Sequence, residues 1–285
     1  MKQVKIGESL NPELEIWRYV SIEKYIDMLH TKTLYFSPLS FFEKSDPFEG
    51  YIPVVGLTAM ASIINKQIAP FQKFIDAVTP ELNKTGQSDK VKLVNDKIKE
   101  SIIQGKYGFK KISSCIAVNC WFLGDYESEA MWKIYSDNGK GIALRSTIGN
   151  LAKALSEGDH EERIDIGRVK YFDFNDDTLS PKELVSDGHL VPLLKRKSYQ
   201  HENEVRAFLT PKLPIDKDMT NWIPRPYKIT ISIDDLIKDV IVSPYASNLY
   251  ESAVYDIGEK YGIKERTKKS KLLSDADGYI ESSWK

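Results

Sequence analysis

The chain has 285 residues, 41% hydrophobic and 28% charged, with a net charge of −1. It is long enough to bury an ordinary core, and its near-zero charge excludes an overall basic field for nucleic acid, leaving only a local patch. Two cysteines, Cys115 and Cys120, are too few for a disulfide framework or a four-thiolate zinc site, and four scattered histidines form no metal-binding motif, so no catalytic metal is expected.

In chain order, "EIWRYVS" (15–21) predicts a short strand and "SIEKYIDMLHTK" (21–32) a helix with Ser21 as N-cap. "TLYFSPLSFF" (33–42) predicts a strand broken by Pro38, and "EKSDPFEGY" (43–51) a turn. The segment 57–110 is rich in Ile, Lys and Ala with few aromatics. It predicts a helical insert of two or three helices within one domain spanning 1–285, broken near Pro70, Pro80 and "NKTGQSD". "KISSCIAVNCWFL" (111–123) predicts a buried strand holding both cysteines as inert thiols, and "DYESEAMWKIYSDN" (125–138) a short helix stopped by glycines.

"GIALRS" (141–146) predicts a strand, "IGNLAKALSEG" (148–158) a helix and "RIDIGRVKYFDF" (163–174) a strand. "SPKELVSDGHLVPLLKRKS" (180–198) predicts partial helix. "ENEVRAFL", "YKITISI" (227–233) and "VIVSPYA" (240–246) predict strands around a last helix at 247–263, with "RTKKSKLL" a terminal strand or tail. Strands arrive irregularly between helices, so the class is α+β with a mixed, mainly antiparallel sheet. No apolar run of 18 residues and no signal-peptide core appear, so a cytoplasmic protein without a membrane partner is expected.

The common nucleotide fingerprints and the Gly-x-Ser-x-Gly elbow are missing. A dispersed polar set remains. Arg18 sits between Trp17 and Tyr19, where its fork can grip a phosphate or carboxylate. Ser37 ends a strand, and Asp46 and Glu49 stand in the Asp-Pro turn. Trp121, Trp132 and Tyr135 suit a cleft wall. In "SYQHENEVRAFL" (198–209), read as one strand, Glu202, Glu204 and Arg206 share a face, with the two carboxylates about 7 Å apart. Their repulsion raises one pKa, as suits a base, unless Arg206 neutralises Glu204 in a structural ladder of charges.

The ordered pieces "WRYVS", "LYFSPLSFFEKSDPFEG", "CWFL", "ESEAMWKIYSDNGKGIAL" and "LLKRKSYQHENEVRAFL" resemble a bacterial family known as domain of unknown function 2971. Arginine, serine and a late Glu-x-Glu, in that order, also resemble the triad of ADP-ribosyltransferases, and the opening resembles their DNA-modifying toxin members. This second likeness implies a split-sheet fold and NAD as substrate. It places Arg18 and Tyr19 on the NAD phosphates or ribose, Ser37 at the nicotinamide ribose and Tyr35 or Trp121 against nicotinamide. It puts Glu204 on the ribose 2′-hydroxyl and Glu202 toward the acceptor nucleophile.

A toxin or phage-defence effector follows, acting on a macromolecule, with RNA or DNA the first acceptor to test and an antitoxin-like protein as a further partner. Lysines 66, 73, 84, 90, 92, 97 and 99 of the insert are candidates to guide such a substrate. Two other readings stand beside it: a non-catalytic module that senses a nucleotide or docks a partner, and a hydrolase using Glu202 and Glu204 as acid and base.

Overall fold

A computed structural model describes residues 4–210 and 223–273, with side chains outside 104–107. The α+β class holds, with a mixed, mostly antiparallel sheet. Its strands are β1 (Val4–Ile6), β2 (Glu15–Val20), β3 (Thr33–Pro38), β4 (Ala117–Leu123), β5 (Ile142–Thr147) and β6 (Ile164–Arg168). After β7 (Lys170–Phe172) and β8 (Leu194–Arg196), which form a separate parallel pair, come β9 (Glu204–Leu209), β10 (Tyr227–Thr230), β11 (Asp239–Val242) and β12 (Thr267–Lys269). The main order is β1-β6-β9-β4-β2-β5-β11-β12, with β3 and β10 branching from β4. Only β1·β6 and β11·β12 are parallel within it. All six residues of β9 are buried, as expected of a strand paired on both edges.

Helices follow the expected signals where caps and periodicity agree. α1 (Ile22–Thr31) begins after Ser21, buries Tyr25, Met28 and Leu29, and ends at Lys32 in the left-handed region. Further on, α4 (Glu129–Tyr135), α5 (Ile148–Glu157), α6 (Ile233–Leu236) and α7 (Asn248–Lys260) each start at a Ser or Thr whose hydroxyl accepts a backbone N–H. The largest apolar cluster joins α1, α5 and α7 to one sheet face through Ile16, Tyr25, Trp121, Leu151 and Val254.

The insert runs longer than its sequence suggests, as an antiparallel hairpin of α2 (Val54–Lys84) and α3 (Ser88–Cys115). Pro70 and Pro80 were expected to break it, yet both lie inside α2. Each removes one ladder donor, and both are exposed, where water can satisfy the freed carbonyl. Residues 111–115 belong to α3, so the strand begins at Ala117 and Cys115 is a helix-end residue. Arg168 and Lys170 belong to different sheets, dividing the single strand expected over 163–174. Part of the stretch expected to be helical, Leu194–Arg196, is strand β8. Among the described residues no helix is long and apolar enough to cross a membrane.

One feature of the sheet positions the site. β2 pairs with β4 only at Ile16 and Trp17, while β3 takes the edge of β4 at Ser37 and Pro38. From Arg18 onward β2 diverges from β4 and stays with β5. The sheet therefore splits, with Arg18 on one lip and Ser37 on the other.

Candidate active site

A cleft of about 500 Å³ opens at this split. Arg18, Tyr19, Tyr35, Ser37, Trp121, Glu202 and Glu204 all line it, so residues separated by almost two hundred positions converge. A second pocket of about 430 Å³ lies against α1 and shares Arg18, Val20, Lys24, Tyr35 and Ser37 with the cleft. The two lobes thus meet at two cations, a hydroxyl and an aromatic ring.

Arg18 is half-buried and pairs with no carboxylate among the described residues. Its guanidinium lies 5.9 Å from the centre of the Trp121 ring, and burial lowers its pKa to about 10. Trp121 is itself closed into the core, donating its indole N–H to Asn119 Oδ1 at 2.6 Å. It supports Arg18 from below, while Tyr35, 39% exposed, offers an accessible ring. Tyr19 stands edge-on to Trp132 at 4.8 Å, and its hydroxyl accepts the Ser128 N–H at 2.9 Å. It forms wall rather than a free polar contact. Ser37 is half-buried and lines the cleft.

The two glutamates arrive by a route that differs from the expected strand. Residues Lys197–Glu202 form a 3-10 turn, and β9 begins only at Glu204. Asn203 between them sits at φ 34°, the left-handed region that Asn tolerates better than most residues. Its side-chain amide donates to Leu123 O at 2.6 Å, tying the kink to β4. Glu202 and Glu204 therefore do not share a strand face. They meet because Lys195, on β8, places its ammonium between them and hydrogen-bonds to both carboxylates.

Arg206 completes a buried cluster. Its Nε donates to Glu204 Oε2 at 2.6 Å, and its Nη1 to Glu49 Oε1 at 2.8 Å and to Pro192 O at 3.1 Å. Arg206 is 1% exposed and Glu204 4%. Burial alone would raise the Glu204 pKa, but the Arg206 and Lys195 charges overcome it and hold the group well below the usual carboxylate range. Glu202 goes the other way. Burial, reinforced by the neighbouring Glu204, lifts its pKa to about 8 against the pull of Lys195. The pair thus separates into a fixed anion, Glu204, and a carboxyl that exchanges its proton near neutral pH, Glu202. Cys120, half-buried beside them, is pushed up to about 12 by burial and by Glu204, so its thiol stays protonated.

Sequence reasoning missed Lys195, inside a segment read as partly helical, and Lys24 and Tyr199 on the cleft wall. A signal for Lys195 existed: two adjacent glutamates in an apolar context require a nearby cation beyond a single arginine. Asp46 and Glu49, singled out in the Asp-Pro turn, also line the cleft, and Asp46 Oδ1 pairs with Arg196 at 2.6 Å. Comparison with protein-family models, with curated proteins and with solved structures finds no match for this chain.

Proposed function

We propose that the protein is an NAD-consuming ADP-ribosyltransferase that acts on a macromolecule, with the two-lobed cleft as its NAD site. The observation that carries the reading is Arg18: a cation without a carboxylate partner among the described residues, at the junction of two pockets, across a split sheet from Ser37. A ligand that fills both lobes must place negative charge at its middle. A pyrophosphate joining two nucleosides fits that demand, held by the Arg18 fork and the Lys24 ammonium. Tyr35 offers a stacking face at the junction, and Ser37 a hydroxyl for a ribose.

The chemistry then divides between the glutamates. Breaking the bond from nicotinamide to ribose C1′ sends the electron pair to the leaving nitrogen and leaves positive charge on the sugar. The permanently ionised Glu204 stabilises that charge by preorganised electrostatics. The acceptor's nucleophilic atom attacks C1′, and its proton passes to ionised Glu202. With its pKa raised toward neutral pH by burial and by Glu204, Glu202 is only partly ionised there, and the ionised fraction grows as pH rises.

The test is incubation with NAD, following free nicotinamide. Release by the native chain, lost in Glu202→Gln and in Arg18→Ala, supports the reading. No release with any nucleic acid or protein acceptor rejects it. One observation favours a second reading: both Glu204 oxygens are engaged, by Arg206 and Lys195. That suits a module that binds a nucleotide without turning it over, and tight NAD binding without nicotinamide release would identify it. A defence role predicts that expression of the native chain arrests the growth of its host and that Arg18→Ala relieves the arrest.

A further inference from the structure

The hairpin of α2 and α3 is not used by the cleft chemistry, and its charge is unlike the rest of the chain. Residues 54–115 carry ten lysines and no arginine against five carboxylates, net +5. With −1 for the whole chain, the remainder carries −6. Lys66, Lys73, Lys90, Lys92, Lys97 and Lys99 are all exposed, and none makes an ion pair among the described residues. Lys84 and Lys110, which do, bond Glu81 and Glu43.

Apolar rings interleave with these charges. Phe71 and Phe74, 51% and 60% exposed, flank Lys73, and exposed Leu93 follows Lys92. The Gln72–Asn95 side-chain bond sets the hairpin register and brings Phe74 and Leu93 to about the same level. Between the helices Ile75, Val91 and Ile98 are already buried, so the exposed rings are not needed to hold the hairpin together.

The base of the arm adjoins the cleft. The end of α3 packs on the 3-10 turn Leu39–Phe42, and Lys110 Nζ reaches Glu43 at 3.1 Å. The same loop sends Phe42, Ser45, Asp46 and Glu49 into the cleft wall.

We infer that this hairpin is a docking arm for single-stranded nucleic acid, which it delivers to the cleft as the acceptor. Unpaired lysines neutralise phosphates, and exposed rings stack on unpaired bases. The acidic remainder repels the strand and confines it to the arm. The acceptor role rests on the transferase reading of the cleft, whereas the binding does not.

The experiment measures fluorescence anisotropy of a labelled single-stranded RNA of mixed sequence with the full chain. Parallel arms use single-stranded DNA, duplex DNA and poly-glutamate. Binding weakens roughly 50-fold between about 50 and 200 mM salt if about four phosphates are neutralised. The triple variant Lys73→Glu, Lys92→Glu, Lys99→Glu binds at least tenfold more weakly, and the milder Lys→Gln triple shows the same direction should charge reversal disturb folding. Phe74→Ala weakens single strands more than duplex. Nicotinamide release from NAD without acceptor is unchanged in these variants, so failure of the cleft reading and failure of the arm are seen separately. Equal binding of poly-glutamate, no binding of single strands at low salt, or binding unchanged in both lysine triples overturns the inference.

Discussion

Two arginines on neighbouring strands use their charge in opposite ways. Arg145 of β5 lies 5.6 Å from the Trp17 ring, and Arg18 of β2 lies 5.9 Å from the Trp121 ring. Arg18 pairs in register with Leu144 and Trp17 with Arg145, so the two arginines project to opposite faces of the same ladder. Arg145 is satisfied: it bonds both oxygens of Glu15, at 2.6 and 3.0 Å, and Asp239 at 3.0 Å. The Glu15 hydrogen bond raises its pKa, and burial opposes only partly. Arg18 has the ring and the enclosure without the carboxylates, and burial lowers its pKa. A structural arginine comes with its counter-ions, and Arg18 leaves that position open to an anionic ligand.

The largest expected effect comes from the buried cluster, where the charges are paired as at Arg145 but lie deeper. Glu204→Gln leaves Lys195 and Arg206 short of an anion and costs about 3–5 kcal/mol of stability, read by urea unfolding. A loss below 1 kcal/mol would show that the cluster is no more costly to break than a surface ion pair. Arg18→Ala separates function from stability. On the proposed NAD reading it lowers NAD affinity about 100-fold, equivalent to about 2.8 kcal/mol, while the urea midpoint holds or rises because a buried charge without counter-ion is removed. A drop in stability matching that of the paired arginine would erase the distinction. Arg145→Ala, at a partly exposed network, costs about 1–2 kcal/mol with NAD affinity unchanged.

A separate effect lies in the pH dependence of stability. A Glu202 pKa raised from 4.5 to about 8 means that the folded state holds a proton the unfolded state has lost. Its stabilising contribution is complete below 4.5, declines as pH rises through that window and is gone above about 8. Glu204, depressed, acts in the opposite sense: its contribution is present above 4.5 and lost as pH falls below it. Glu202→Gln flattens the decline toward alkaline pH and, on the proposed transferase reading, abolishes the rise of transfer rate that levels near pH 8. A decline that persists in Glu202→Gln assigns the titration elsewhere.

Local sequence was a sound guide wherever local chemistry decides. Ser21 before Ile22, Tyr25 and Leu29 gave α1, and the Ile148, Leu151 and Leu155 stripe gave α5. It misled where a tertiary partner overrides local preference. Pro70 and Pro80 stay helical on the exposed side of α2, while its buried side, at Ile75, holds the helix in the hairpin. "SYQHEN" bends into a 3-10 turn because Asn203 is tied to Leu123 across the sheet.

The sequence by itself determined the α+β class, the helical insert and the residue types of the cleft: an arginine between aromatics, a strand-end serine and a pair of glutamates. These are matters of periodicity, caps and composition, which depend on near neighbours. Only the tertiary structure decided which charges meet. Lys195 and Arg206 claim Glu204, Lys195 also holds Glu202, and Arg18 is left without a carboxylate among the described residues. The reason is physical: the same residue types act as structural ions or as a ligand site according to which partners lie within hydrogen-bond reach, and chain crossings between β2, β4, β8 and β9 set those distances.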